Sequence, residues 1–191
     1  MAHREGTEHT KAENSPWVVG KREVIYTAIG AVLYGLSGWV TAGLQIPGQF
    51  NSSIRPGIAI PLFFGAVFGP VVGFFTGFIG NIITDLLSGD GFSWNWSLGN
   101  GLMSLIAGLA VFYVNRLNNP RSIALAVGFA LVGIIIGMGF SAYTDIWVSS
   151  ISLEEAWVEF YPVVISNSIA AIILIPLLGV AYENVRTQTG Q

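Results

Sequence analysis

Long apolar runs, nearly free of charge, set the first limit on what this chain can fold into. They occupy residues 24–44, 70–87, 96–114, 123–148 and 157–182. Each is long enough to cross a hydrocarbon core about 30 Å thick, which takes roughly 17–25 helical residues. A twelve-residue apolar piece at 57–68 lies between the first two. It is short for a crossing and is followed by Gly69-Pro70, where proline removes a backbone donor. The expected fold is therefore an all-α integral membrane protein, a bundle of six transmembrane helices with the 57–68 piece as a short second span. Composition agrees: 10% of residues are charged, against about 25% in soluble domains. A charge at mid-bilayer costs roughly 2.5–3.5 kcal/mol even on a lenient insertion scale.

The few cations set the orientation. Seven of the eight Lys and Arg residues, namely Arg4, Lys11, Lys21, Arg22, Arg116, Arg121 and Arg186, fall on one side if spans alternate. Only Arg55 falls on the other. The positive-inside rule then puts the N- and C-termini in the cytoplasm and requires an even number of spans. The opposite mouth is acidic, with Asp85, Asp90, Asp145, Glu154, Glu155 and Glu159. Residues 1–20 lack apolar periodicity and are expected to be a disordered polar tail. The membrane domain is expected over 21–185, and a C-terminal tail over 186–191. The apolar run after Arg22 exceeds the roughly 7–15 residues of a signal-peptide core, so no signal peptide is expected.

Glycine marks the tightest packing. Gly65, Gly69, Gly73 and Gly77 recur every fourth residue, a spacing that makes a groove on one helix face and admits another backbone. A second stripe of small residues, Thr27, Ala31 and Gly35, runs up the first span. It can serve packing within the fold or docking of another membrane protein.

Polar side chains inside the spans cluster toward the acidic mouth. Asn81 and Asp85 stand at i, i+4 and so share a helix face. Trp96, Asn100 and Ser104 do the same on the fourth span. Tyr143 and Asp145 close the fifth, and Glu159, Ser166 and Asn167 project from the sixth. The inner halves are almost purely apolar, so the expectation is a cup open to the outside. Interhelical hydrogen bonding is the plainer alternative for each residue. Trp94 and Trp96 are either membrane-interface anchors or a stacking wall for a flat ring. The connection 45–56, carrying Gln49 and Arg55, is long, rich in amides and hydroxyls, and suited to a lid.

The sequence carries no phosphate-binding Gly-x-x-x-x-Gly-Lys-Ser/Thr motif, and its two histidines, His3 and His9, both sit in the tail. Neither a catalytic residue, a metal site nor a cofactor is expected, and no basic nucleic-acid patch occurs.

The stretch Arg55-Pro56-Gly57-Ile58-Ala59-Ile60-Pro61, followed by Phe64-Gly65-Ala66-Val67-Phe68-Gly69-Pro70-Val71-Val72-Gly73-Phe74, resembles S-components of energy-coupling-factor (ECF) vitamin transporters. So do Gly77-Phe78-Ile79-Gly80-Asn81, Asp85-Leu86 and Trp94-Asn95-Trp96-Ser97. The likeness covers about residues 22–184 and is nearest to the riboflavin-type branch. It implies a six-helix subunit of the cytoplasmic membrane of a prokaryote, capturing a vitamin outside the cell. Such subunits topple in the membrane against a separate transmembrane T-component driven by two cytoplasmic ATPases. The resemblance implies docking on the T-component through the first helix, here Thr27-x-x-x-Ala31-x-x-x-Gly35. It also implies a pocket formed by the first external loop and helices four to six. A structural membrane subunit and an ATPase-independent carrier are the competing expectations.

Overall fold

The computed structural model describes residues 15–44 and 54–189. Six α-helices account for most of this: α1 (Lys21–Thr41), α2 (Ala59–Phe68), α3 (Pro70–Ser88), α4 (Trp94–Gly108), α5 (Pro120–Val148) and α6 (Leu153–Gln188). A 3₁₀ turn, Pro56–Ile58, leads into α2, and another, Leu109–Phe112, extends α4. Among the described residues there is no strand. Four helices, α1, α3, α5 and α6, are long and apolar enough to cross a membrane.

The bundle has an apolar core, with Leu62, Met103, Ile134 and Ile175 fully buried, and an apolar exterior as well. Ile29, Val32 and Leu36 on α1, Ile135 and Ile136 on α5, and Ile169, Ile172 and Ile173 on α6 are about half exposed. Asn81, Thr84, Asn95, Ser97, Ser104 and Ser141 are buried. An apolar exterior suits lipid, where exposed backbone or amide groups cost several kcal/mol each.

Gly69 and Pro70 reverse the chain. Continuing the helix would drive the Pro70 ring into the Ala66 carbonyl. Gly69 takes φ 103°, a region that strains any residue with a Cβ. Its N–H still caps α2 by donating to Gly65 O at 2.8 Å, and its carbonyl accepts from Gly73 N at 3.0 Å. The 57–68 piece is thus one arm of a helical hairpin. With its 3₁₀ turn it reaches roughly 20 Å, short of a hydrocarbon core of about 30 Å.

The glycine stripe works differently from the groove expected on one helix. Gly65 lies on α2, Gly69 is the turn, and Gly73 and Gly77 lie on α3. A Cβ on Gly73 would fall 2.7 Å from the Gly65 Cα across the hairpin. Gly65 and Gly73 both press on the Ser104 carbonyl of α4, and Gly77 on the Asn100 carbonyl. Helix α4 then meets α5 in the same manner, Gly99 against Gly137 and Met103 against Gly133.

The α1 stripe is covered in part by the bundle itself. Gly35 lies under Ile83, and Ala31, 2% exposed, has its carbonyl against Gly80 of α3. Thr27 is half-buried and borders an apolar groove of about 450 Å³ between α1 and α3.

Both ends of the chain depart from expectation. Residues 15–20, expected in the disordered tail, meet the bundle: Trp17 stacks obliquely on Phe112 with centroids 6.0 Å apart, and Pro16 packs on Gly69. An apolar pair outweighs the polar surroundings there. Helix α6 begins at a capping box, Ser152 and Glu155, and continues through Gln188 into what was expected as the C-terminal tail. The remaining residues of the expected tail, 1–14 and 190–191, lie outside the described residues.

Candidate functional site

Where α1, α3 and α5 end and α4 and α6 begin, polar side chains meet inside the bundle. The i, i+4 pair on α3 forms as its spacing requires: Asn81 Nδ2 donates to Asp85 Oδ2 at 3.1 Å and to Ser97 Oγ at 3.2 Å. Asn81 Oδ1 accepts from Arg55 Nη1 at 3.1 Å and from Asn100 Nδ2 at 3.4 Å. Asn100 Oδ1 accepts from the Tyr34 hydroxyl of α1 at 2.8 Å, and Tyr34 is fully buried. Four segments, α1, the approach to α2, α3 and α4, are thereby tied through two amides.

A second group joins α4 to α5. Asn95 Nδ2 donates to Asp145 Oδ1 at 2.8 Å, and Trp96 Nε1 donates to Asp145 Oδ2 at 2.6 Å. Asn95 also reaches Ser141 O and Thr144 Oγ1, while Ser149 Oγ donates to Asp145. Trp96 links the groups, because its carbonyl accepts from Asn100 Nδ2 at 2.8 Å while its indole holds Asp145. Glu159 of α6 borders this group beside Asp145, with Oε2 buried and unpartnered, as is Asn95 Oδ1.

The structure thus unites Arg55, Asn81, Asp85, Trp96, Asn100, Asp145 and Glu159. It does not bring in every residue expected there. Trp94 and Trp96, two residues apart, leave α4 on different sides: Trp94 is 46% exposed, while Trp96 turns inward. They make no common wall. Tyr143 is 55% exposed and meets the edge of Trp147 on the outer surface, where both suit the membrane interface. Asn167 is buried on α6 but hydrogen-bonds with none of these groups. Gln49 lies outside the described residues, as does most of the connection expected as a lid. The two cavities described lie elsewhere, and at this end the two amides hydrogen-bond to one another.

Six contributors are not among the site residues expected from the sequence: Tyr34, Asn95, Ser97, Ser141, Thr144 and Ser149. Ser141 and Asp145 carry the same i, i+4 signal that exposed Asn81 and Asp85. Asn95 sits between two tryptophans that drew attention to themselves. Tyr34, in the middle of an apolar span, carries a signal in its hydroxyl, which has to find a partner there.

A family model for "ECF-type riboflavin transporter, S component" matches residues 20–184. The chain belongs to that family. Its members bind small vitamin substrates and work with a T component and ATPases, and the family is one of membrane transport rather than a known enzyme family. The chain is also similar to UPF0397 proteins, which belong to the same family. One from Vibrio atlanticus is 39% identical over 129 residues, covering 65% of this chain and 70% of the relative. One from Streptococcus gordonii is 30% identical over 177 residues, covering 88% of this chain and 91% of the relative. No solved structure matches.

Proposed function

We propose that this S component captures a flat heteroaromatic micronutrient, flavin-like or thiamine-like, at the Asn81–Asn100–Trp96–Asp145 end. This end faces outward across the cytoplasmic membrane of a prokaryote, with both termini in the cytoplasm and all six helices embedded. The observation that carries the reading is one continuous amide, indole and carboxylate network buried at one end of the bundle. Such groups are costly in a membrane and are functional candidates by default.

Asn81, Asn100 and Asp85 supply donors and acceptors for ring edges, Trp96 a stacking face, and Asp145 with Glu159 an affinity for a cationic or proton-donating ring. Gln49 and Arg55 belong to a loop that closes over the ligand, and Trp94, Tyr143 and Asn167 join only on opening. Residue 27 and its neighbours in the α1–α3 groove receive the T-component, with Ala31 and Gly35 setting how closely α1 and α3 approach. Two cytoplasmic ATPases supply the energy.

The test is thermal melting of the purified chain with flavins, thiamine, its pyrimidine precursor, biotin and folates. A ligand at a hundred times its Kd stabilises the native state by about 2.7 kcal/mol, so one compound should raise the melting temperature at submicromolar level. No shift with any of them counts against capture. A purely structural role is the second reading, favoured by the mutual saturation of Asn81, Asp85 and Asn100. Under it, variants of these residues lower stability and leave no ligand affinity to lose.

A further inference from the structure

At the end opposite the amide network, a cavity of about 520 Å³ opens between α1, α2, the α4–α5 connection and α6. Three guanidinium groups line it, from Arg22 on α1, Arg116 in the connection and Arg186 on α6, together with one carboxylate, Glu183. That carboxylate is already engaged: Glu183 Oε1 accepts from the Leu117 backbone N–H at 3.0 Å and lies 4.0 Å from Arg186 Nη1. Arg22 donates through Nε to the Tyr26 hydroxyl at 3.0 Å. Arg116 makes no ion pair with a described carboxylate, so the lining retains a formal excess of positive charge. Apolar side chains, Phe68 and Val114 among them, line it beside the arginines.

Guanidinium forks match the spacing of phosphate oxygens and hold them through charge-assisted hydrogen bonds. Basic pockets at the ends of membrane helices are where lipid phosphates are held. Size separates the possible sources. At about 30 Å³ per water molecule, this cavity is far larger than a bare oxyanion needs. Arginines with apolar side chains in the same lining fit a phosphodiester with its glycerol and first methylenes.

We propose that this cavity is a binding site for a phosphate-bearing anion, supplied by the headgroup of an anionic phospholipid. It is independent of what the opposite end captures.

The experiment melts the purified full chain in non-ionic detergent with phosphatidylglycerol, with phosphatidylcholine, and with phosphatidylglycerol plus millimolar inorganic phosphate. Phosphatidylglycerol should raise the melting temperature well above the effect of phosphatidylcholine. The Arg116→Gln/Arg186→Gln variant should need at least tenfold more phosphatidylglycerol for the same shift. Arg121→Gln, a cation outside the cavity lining, should stay within twofold of the parent. Competition by inorganic phosphate would assign the site to phosphate alone, and its absence to the lipid; either supports a phosphate-bearing ligand. If the double variant melts early without lipid, Arg116→Gln alone carries the test, since that exposed side chain holds no described partner. Equal shifts from both lipids together with no effect of phosphate would overturn the proposal. So would a loss in Arg121→Gln as large as that in Arg116→Gln.

Discussion

The Trp96–Asp145 contact is the joint on which the two halves of the amide network meet, and its strength can be isolated by a double-mutant cycle. Trp96→Phe keeps an aromatic ring and deletes the indole donor, while Asp145→Ala removes its acceptor. Hydrogen bonds between membrane helices average only about 0.6 kcal/mol, with an upper value near 1.7. This one is 2.6 Å long, ends on a carboxylate, and lies among buried partners. Hydrogen bonds to charged groups contribute about 1.5–3 kcal/mol, so the coupling should fall near the upper membrane value, about 1.5 kcal/mol. Asp145→Ala should cost more than Trp96→Phe, because it also strips Asn95 Nδ2 and Ser149 Oγ of an acceptor at 2.8 and 3.0 Å. Asn95 retains Ser141 O and Thr144 Oγ1 as alternatives, which limits that extra cost. Unfolding of the four proteins in detergent, followed by far-ultraviolet circular dichroism, gives the cycle. A coupling within about 0.3 kcal/mol of zero, the scatter of independent sites, would show that the network is not cooperative at Trp96.

Gly77→Leu should fail to assemble, or lose more than about 3 kcal/mol, because a side chain there meets the Asn100 carbonyl of α4 rather than a yielding side chain; detergent-soluble yield and melting report it. Gly69→Ala should cost about 1–3 kcal/mol from its backbone conformation alone, φ 103° and ψ 169°, plus crowding of Pro16 O at 2.9 Å, seen as a lowered melting temperature. Because the chain has no cysteine, single cysteines at Glu154 and Asn118 can be probed in intact cells with an impermeant maleimide. The proposed orientation requires labelling at Glu154 and protection at Asn118, and the reverse pattern would invert it.

Helix existence was legible because hydrophobic run length and punctuation coincide. Pro70 and Gly89 bracket α3, whose observed end at Ser88 lies one residue from the expected one. Boundaries failed where local chemistry extends a helix past its apolar run. The Ser152–Glu155 box starts α6 before Trp157, and charged residues carry it on to Gln188. The glycine period was real, but Gly69-Pro70 splits it between two antiparallel helices; spacing alone registers a face and not a turn. At the candidate site, spacing identified Asn81 with Asp85, since neighbours on one helix are set by its pitch. It could not identify Asn95 with Asp145, which are far apart in sequence and meet only through α4–α5 packing. Glu183 escaped for a related reason. A carboxylate among terminal arginines resembles a solvated charge until Leu117 N–H is brought against it.

Capture at the Asn81–Asp145 end is tested most directly by titration calorimetry of the purified chain with whichever vitamin stabilises it, repeated on Trp96→Phe and on Tyr113→Phe at the opposite end. The expected result is a single site of submicromolar Kd, weakened at least tenfold by Trp96→Phe and unchanged by Tyr113→Phe. Binding that survives Trp96→Phe intact, but falls when the opposite end is altered, would contradict the account.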